Sequence, residues 1–339
     1  MILDDFRPVA MDALADGPTP ISAGWLWDGY LMPGDVVLLT SLWKTGKTTL
    51  LAGLLQSLGA GAPFLGRATR PGRAWVISEE SRSQWQERVR MLPIGPHVHL
   101  LARPFRGRPE LVEWELLIDR AAEARPDLVV VDPLASFLPG RCESDAASLL
   151  EALAPLHRLT ASGAAVLLLH HPRKKAAEVG SIARGSGALL GFVDASLELT
   201  RYSSLPSDAN RRLIRAQSRR AETPDRLAYE WDRATGAFVT TVDPRHRQFE
   251  ENWQTVVGIL KDRAAGITFQ EIAACWPDDA GKPSRSSLYA WLDLAFERKL
   301  IRRDGSGTNK YPWRYRTENE DDEYYDRGEL PPIKPLGRF

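Results

Sequence analysis

A Gly-Lys-Thr triplet at residues 46–48 has the residue types of a loop that binds phosphate groups. It lies between an apolar run, Asp35 to Thr40, and a helix-like segment, Thr48 to Leu58. In such a loop, backbone N–H groups surround the phosphates, the lysine contacts the β and γ oxygens, and the threonine hydroxyl binds Mg²⁺. We therefore expect Mg-ATP to contact the residues of this loop, namely Ser41, Lys44, Thr45, Gly46, Lys47, Thr48 and Thr49.

Two residues of this loop are unusual. Ser41 stands where the common pattern has its first glycine, and its small side chain makes this a weak departure. Lys44 is a second cation in the loop. Three roles are open for it: contact with a phosphate, contact with a neighbouring subunit, or no contact beyond solvent. A chance triplet in an ordinary loop is the alternative for the whole motif, and the placement between a strand and a helix disfavours it.

Acidic residues follow two further apolar runs. Asp132 ends the run that starts at Pro126, and we expect it to hold Mg²⁺ through water, since ligands of open α/β sheets bind at the carboxyl ends of strands. Glu79 and Glu80 follow the run Arg73 to Ser78. One of them is expected to orient or deprotonate the attacking water, and the other to act electrostatically. A solvated acidic loop is the alternative for this pair.

Two histidines, His170 and His171, follow the run Ala164 to Leu169. Polar side chains at this position can sense the γ-phosphate by hydrogen bonding, and a structural role is an equal alternative. The basic, glycine-rich segment at residues 173–187 comes next, and its Arg184 is a candidate for binding single-stranded nucleic acid or phosphate.

The apolar runs alternate with helix-like segments, which is typical of an α/β fold with a mostly parallel central sheet. We predict strands at 35–40, 73–78, 97–102, 128–131, 164–169 and 195–200, and helices at 48–58, 81–91 and 144–159, with Ser81 as an N-cap. Three shorter β-rich runs at 211–217, 227–231 and 237–241 predict an antiparallel extension of the sheet.

The C-terminal part has a different pattern, which predicts a small winged helix-turn-helix domain at residues 248–316 after a linker, Pro244 to Gln248. Predicted helices lie at 249–263, 268–275 and 284–299, and a basic hairpin follows. In this fold the second helix of the motif enters the major groove of DNA. The candidate DNA contacts are Arg285, Ser286, Arg302, Arg303 and Arg314.

Composition places few limits on function. The 44 basic and 44 acidic residues balance, so whole-molecule charge favours neither nucleic acid nor membrane. Two cysteines without metal-ligand spacing, and an acidic N-terminus without an apolar segment, indicate a cytoplasmic protein with no membrane contact. We expect an N-terminal arm at 1–20, an ATPase domain at 21–243 and a disordered acidic tail at 317–339 that binds an unknown protein partner.

The segment Trp75 to Ser81 resembles the catalytic-glutamate segment of RecA-like ATPases, including KaiC-like proteins and the plasmid replicative helicases of the RepA type. Glu79 matches the catalytic position. The paired histidines and the Arg-Gly-Ser sequence after them are similar to the same group. Residues 21–243 as a whole resemble the RepA-like, RecA-fold ATPases of the AAA family.

The run Leu213 to Arg220 resembles the late strand of hexameric DnaB-type and RepA-type helicases, which carries an arginine finger into the neighbouring subunit's site. Arg219 matches best, and Arg215 and Arg220 are the other candidates. Such a finger accelerates hydrolysis by on the order of 10³ or more and requires a site between subunits. The resemblance therefore implies a homo-oligomer, as in a hexameric ring. A solvated arginine on an edge strand is the alternative.

The resemblance implies a ring-forming, Mg-ATP-dependent ATPase that acts on DNA, as a helicase or replication-initiation motor of a mobile element. One alternative is a DNA-bound regulator whose oligomeric state is switched by ATP, without unwinding. Another is a KaiC-like signalling ATPase whose winged helix contacts protein.

Overall fold

The computed structural model describes residue 11 and residues 24–139, 145–171, 187–261, 263, 265–308 and 310–317. The chain divides into two compact units, with the boundary between Thr241 and Val242. Within the part of the chain that is described, no helix has both the length and the apolar character that crossing a membrane requires.

The described residues of the first unit form one nine-stranded sheet. Its strands are β1 (Val36–Ser41), β2 (Ala74–Ser78), β3 (Val98–Ala102), β4 (Leu128–Asp132), β5 (Ala165–His170), β6 (Ala195–Arg201), β7 (Arg211–Ser218), β8 (Arg226–Trp231) and β9 (Phe238–Thr241). The order across the sheet is β3-β2-β4-β5-β1-β6-β7-β8-β9. Strands β1 to β6 pair in parallel, and β7, β8 and β9 extend the sheet in antiparallel fashion.

Helices cover both faces of this sheet. They are α1 (Lys47–Ala60), α2 (Arg82–Met91), α3 (Leu111–Ala124), α4 (Leu134–Phe137), α5 (Ala146–Leu153), α6 (Leu156–Ala161) and α7 (Gly187–Phe192). The leucines of α1 belong to one apolar cluster, whereas α3, α5 and α6 contribute to the cluster on the opposite face. Because β1 and β4 are buried along their whole length, their sequences are continuous apolar runs. The predicted α/β class and antiparallel extension are confirmed.

The predicted helix at 144–159 is wrong in one respect. Two helices, α5 and α6, replace it within the described residues, and Pro155 lies between them. A proline has no backbone N–H and its ring clashes with the carbonyl four residues earlier, so one continuous helix is disfavoured at this position. The predicted N-cap at Ser81 is confirmed, because its side chain accepts a hydrogen bond from the backbone of Gln84 in a capping box.

The second unit contains α8 (Pro244–Leu260), β10 (Ile267–Thr268), α9 (Phe269–Ala274), α10 (Arg285–Glu297), β11 (Ile301–Asp304) and β12 (Arg314–Thr317). The three strands form a separate sheet in the order β10-β12-β11. Thr268 and Ser284 cap α9 and α10 with their side chains. The helices and the β11–β12 hairpin enclose their own apolar cluster, which includes Trp253 and Trp291. The winged-helix assignment itself stays a prediction.

The linker predicted at Pro244 to Gln248 is wrong. These residues form the first turns of α8, with Asp243 as the N-cap and Pro244 at the first helical position. Proline suits that position because the first N–H groups of a helix have no partner inside the helix. The sequence-based prediction placed this proline in a linker, although it begins the helix.

Candidate nucleotide site

A cavity of about 370 Å³ opens at the carboxyl edge of the parallel strands, where β1, β2, β4 and β5 end. Ligands of open α/β sheets bind at this edge. The lining residues come from the phosphate loop, from α2, from the ends of strands β2, β4 and β5, and from the β7–β9 region: Trp43, Lys44, Thr45, Gly46, Lys47, Thr48, Thr49, Glu79, Glu80, Arg88, Asp132, His171, Asn210, Arg212, Tyr229, Trp231, Arg233 and Phe238.

The phosphate loop connects the end of β1 to the start of α1. Gly46 caps α1 with φ of 108°, a conformation that favours glycine because it has no Cβ. Lys44 also has a positive φ, 60°, and its ammonium lies 4.1 Å from the centre of the exposed Trp43 ring. Ser41 does not have a positive φ. The backbone of this loop therefore needs no glycine at position 41.

Lys47 is buried, with 4 % of its surface exposed, and three groups surround its ammonium. Lys47 Nζ lies 3.0 Å from Ser41 Oγ, 3.5 Å from the Ser41 carbonyl oxygen and 2.9 Å from His171 Nδ1. Burial lowers the pKa of Lys47 to about 8, although the charge of Asp132 opposes this effect. Ser41 thus supplies a hydroxyl acceptor that a glycine would lack.

Thr48 and Asp132 lie together as a candidate Mg²⁺ site. The Thr48 hydroxyl donates a hydrogen bond of 3.0 Å to Asp132 Oδ2. Burial raises the pKa of Asp132 to about 6, and this outweighs the opposing effect of the Thr48 hydrogen bond. Hydroxyl and carboxylate oxygens are hard ligands of the kind that Mg²⁺ prefers. The pair therefore fits the metal ion, either directly or through water.

Ionised Asp132 carries a cost in stability that can be measured. Since burial raises its pKa from 3.8 to about 6, the folded protein binds more protons than the unfolded chain between these values, and stability falls as pH rises through this window. We expect Asp132→Asn to raise the free energy of unfolding at neutral pH by up to about 3 kcal/mol, in urea titrations without nucleotide. The gain should disappear near pH 4, about the ordinary pKa of aspartate.

The matched control for this experiment is Asp119→Asn, which changes an exposed aspartate on α3. It should not raise the free energy of unfolding at neutral pH, because the Asp119 carboxylate is exposed and paired with Arg158. A variant at position 132 that is no more stable than the wild type at neutral pH would show that burial of this carboxylate is not costly.

The two glutamates after β2 have different surroundings. Glu79 Oε2 accepts a hydrogen bond of 2.5 Å from the Ser136 hydroxyl, and the Glu79 backbone N–H donates to the Asp132 carbonyl. Glu80 forms a two-pronged ion pair with Arg88, with a second contact of 2.9 Å. Arg88 thus contacts both carboxylate oxygens of Glu80, whereas the Ser136 hydroxyl contacts one oxygen of Glu79. The geometry favours Glu79 as the group that acts on water.

The two histidines have different positions. His170 is the last residue of β5, and His171 follows it and lines the cavity. Burial, and then the nearby charge of Lys47, lower the pKa of His171. A neutral imidazole beside Lys47 can accept a hydrogen bond from its ammonium. His171 therefore contacts the lysine that is expected to bind the γ-phosphate, whereas His170 is not among the cavity-lining residues.

Arg219 lies at the opposite edge of the sheet from the phosphate loop. It follows β7, whose end pairs with the start of β6, and it contacts Asp194 at 3.3 Å and the Gly191 carbonyl at 3.0 Å. Its side chain is 65 % exposed. Arg219 therefore contributes nothing to the cavity of its own chain, and its action on a neighbouring subunit stays a prediction.

The two other finger candidates are also outside the cavity. Arg220 is held by Asp35 at the start of β1 through hydrogen bonds of 2.6 and 2.7 Å. Arg215 lies within β7, opposite Glu198 of β6 in the strand register. Neither residue is among those that line the cavity.

The sequence-based prediction missed the part of the cavity wall that comes from the antiparallel extension. Arg212 donates from Nε to the Thr45 carbonyl at 2.7 Å, which ties β7 to the phosphate loop. Arg88, from α2, was missed as well. No motif marks either residue. The position of Arg212 depends on how the extension folds back beside α1. The high density of aromatic and arginine residues in β7 to β9 was the signal in the sequence that could have indicated this part of the cavity wall.

The predicted DNA contacts of the second unit lie on α10 and the hairpin. Arg285 and Ser286 are exposed in the first turn of α10. Arg303 pairs with Asp293 at 3.0 Å, and Arg314 donates to the Gly266 carbonyl at 2.8 Å. Arg302 is exposed on β11. Arg184 lies outside the described residues, as do residues 1–10 and 12–20 of the predicted arm and residues 318–339 of the predicted tail.

Comparison with known proteins identifies the family. Residues 4–177, just over half of the chain, match the model of the family described as AAA domain. No curated protein sequence matches the chain. Among solved structures, one ATPase domain is 13 % identical, with a TM-score of 0.51 over 70 % of this chain and all of that domain. The flagellar accessory protein FlaH from Methanocaldococcus jannaschii is 9 % identical, with a TM-score of 0.46 over 62 % of this chain and 90 % of FlaH.

The likeness to this ATPase domain, at this level of identity, shows a shared fold. The family match is consistent with the cavity described above, where a Gly-Lys-Thr loop meets two acidic strand ends. This chain belongs to the AAA domain family and is an ATP-hydrolysing P-loop NTPase with a RecA-like fold.

Proposed function

We propose that this ATPase uses Mg-ATP to act on DNA as an oligomeric, helicase-like or replication-initiation motor of a mobile element. The observation that carries the hydrolytic part is the convergence of Lys47, Thr48 and Asp132 with Glu79 in one cavity. Lys47 binds the β and γ oxygens, Thr48 and Asp132 hold Mg²⁺, and Glu79 orients the attacking water. His171 reports the γ-phosphate through Lys47.

The proposed DNA contacts rest on the second unit. The first turn of α10 carries exposed Arg285 and Ser286, and the hairpin next to it in sequence carries exposed Arg302. Arginines can bind phosphate oxygens or base edges in two-pronged fashion. Arg303 is less available, because it is paired with Asp293 and its guanidinium lies 4.1 Å from the Phe296 ring centre.

An oligomer is proposed from Arg219. Its exposed guanidinium lies at the sheet edge opposite to the phosphate loop, so one chain cannot bring it to its own nucleotide. In a closed ring of identical chains, one edge of each subunit faces a different edge of its neighbour. Such an arrangement, a hexamer in the proteins that the sequence resembles, is the geometry in which Arg219 completes an adjacent site.

Two other functions are candidates. An ATP-switched regulator would bind a specific duplex without unwinding it, and the exposed first turn of α10 favours this function. A KaiC-like signalling ATPase would use the second unit for protein contacts. The ion pairs of Arg303 with Asp293 and of Arg316 with Asp304 favour signalling, because they reduce the free positive charge of the hairpin.

The rate of ATP hydrolysis with and without DNA separates these functions. For a motor we expect single-stranded DNA to stimulate hydrolysis several-fold. Arg285→Ala should raise the DNA concentration for half-maximal stimulation by about five- to a hundredfold, as expected for loss of one specific arginine contact. The basal rate should not change, because Arg285 lies in the second unit and does not line the nucleotide cavity.

Arg158→Ala is the matched control, since it removes an exposed arginine from α6 of the first unit. It should leave both the basal and the stimulated rates unaltered. Binding to a specific duplex without stimulation would support the regulator instead. Hydrolysis that is indifferent to both forms of DNA would exclude the motor and support signalling.

A further inference from the structure

One part of the cavity wall is largely aromatic and does not belong to the phosphate loop. It is formed by the β8–β9 hairpin, and we call its four residues the hairpin cluster: Tyr229, Trp231, Arg233 and Phe238. The Trp231 and Phe238 rings are stacked, with centroids 6.3 Å apart and an angle of 25°. The Arg233 guanidinium lies 5.5 Å from the centre of the Trp231 ring. Flat aromatic and guanidinium surfaces are those on which nucleobases stack.

The hairpin cluster is fixed beside the first turns of α1. Thr49 lines the cavity next to Thr48, and Gly53 lies one helical turn further on. A Cβ at Gly53 would come within 2.5 Å of the Phe238 ring, so this glycine permits the ring to pack directly against the helix. The cluster is therefore held on the same side of α1 as Thr49, adjacent to the site that binds the phosphates.

Hydrogen-bond donors dominate this part of the cavity wall. Trp231 Nε1 is buried and makes no hydrogen bond to any residue that the structure describes. Among the residues that the structure describes, Arg212 donates to three backbone carbonyls, those of Thr45, Ala209 and Arg211, each at 2.7 Å. A nucleotide would supply acceptors for these groups through its ring nitrogens, its ribose oxygens and its α-phosphate.

No carboxylate of the described hairpin is available to a base. Glu230 is bound by Arg211 at 2.9 Å, and Asp232 caps the turn through bonds to Thr235 and to the Ala234 backbone. The acids that line the cavity, by contrast, are Glu79 and Glu80 after β2 and Asp132 at the end of β4. A site that selects guanine needs an acceptor for two adjacent N–H groups of the base, and a carboxylate is the strongest such acceptor. Recognition here depends mainly on stacking.

We propose that the hairpin cluster is the base-binding end of the nucleotide site and that it selects purine over pyrimidine nucleotides by stacking, with little discrimination between adenine and guanine. This inference rests on the proposed function, because it requires that the phosphate loop binds a triphosphate. It does not depend on DNA or on oligomerisation. It adds GTP as a second substrate of the same site.

The experiment measures dissociation constants of the full chain by calorimetry, with Mg²⁺ and with ATP, GTP, CTP, UTP or inorganic tripolyphosphate. We expect ATP and GTP to bind within about tenfold of each other. CTP and UTP should bind more weakly, because a pyrimidine presents a smaller ring face than a purine to the stacking side chains. Trp231→Ala should weaken ATP and GTP by about ten- to a hundredfold and leave tripolyphosphate unchanged. Trp231→Phe, which keeps an aromatic face, should restore most of the affinity.

Val239→Ala is the matched control, because Val239 is exposed on β9 next to Phe238 and does not line the cavity. It should bind all five ligands as the wild type does. Any of three results overturns the inference: equal binding of all four nucleotides, unaltered ATP affinity in Trp231→Ala, or GTP binding that is weaker than ATP binding by about a hundredfold or more. If the wild type binds neither ATP nor tripolyphosphate, the phosphate site itself fails, and the proposed function fails with it.

Discussion

Lys47→Ala should lower the rate of ATP hydrolysis by on the order of 10²- to 10³-fold or more, the usual cost of removing one pre-positioned group that stabilises transition-state charge. Lys47 is buried and already oriented by Ser41 and His171, so its ammonium needs little reorganisation to meet the transferred phosphate. The same change should weaken Mg-ATP binding, because the ammonium also contacts the bound triphosphate. Steady-state hydrolysis and a direct binding titration measure the two effects.

Lys44→Ala is the informative comparison for this variant. It removes a lysine from the same loop, but one whose ammonium lies over the exposed Trp43 ring. We expect a smaller loss, within about tenfold, because an exposed charge is screened by solvent. If Lys47→Ala leaves both binding and hydrolysis intact, the assignment of the phosphate site to this loop is wrong.

Glu79→Gln should lower the single-turnover rate of hydrolysis by about 10²- to 10⁴-fold, the contribution typical of general acid–base catalysis. The amide keeps the shape of the side chain and can still accept from the Ser136 hydroxyl, but it cannot take a proton from water. Affinity for Mg-ATP should remain close to that of the wild type. A slow variant that still binds its substrate separates the chemical step from binding.

Glu80→Gln tests the same chemistry at the adjacent residue. It weakens the ion pair with Arg88. We therefore expect a moderate effect on the rate of hydrolysis, caused by displacement of Arg88 in the cavity wall. If Glu80→Gln abolishes hydrolysis and Glu79→Gln does not, the roles of the two glutamates are reversed. Equal and small effects in both variants would place the water-activating group elsewhere.

The phosphate loop and its acidic partners could be predicted because each is a local pattern at the end of an apolar run. Parallel strands bring their carboxyl ends to one edge, so Asp132 and Glu79 meet although they are far apart in sequence. The sheet register places Ser78 opposite Asp132, which makes β2 and β4 neighbours. Most strand positions were predictable to within about one or two residues for the same reason, since buried parallel strands are continuously apolar.

Prolines account for both errors in the predicted elements. Pro155 interrupts a segment with a regular leucine stripe, and Pro244 begins a helix that the sequence-based prediction started at Phe249. A proline is compatible with the first turn of a helix and incompatible with its interior. Which of these applies depends on whether the residues before the proline pack as a helix, and composition alone does not decide that.

The sequence itself determined the Gly-Lys-Thr loop, the order of strands and helices, and the residue types available for phosphate and Mg²⁺. It could do so because propensity, apolar periodicity and capping are short-range effects. Only the tertiary structure decided which partners those residues have. It pairs Glu80 with Arg88 and leaves Glu79 with Ser136, and it gives Lys47 the Ser41 hydroxyl. The hairpin cluster enters the cavity because three antiparallel strands continue the sheet beyond β6 and pack beside α1, and such long-range packing leaves no motif in the sequence.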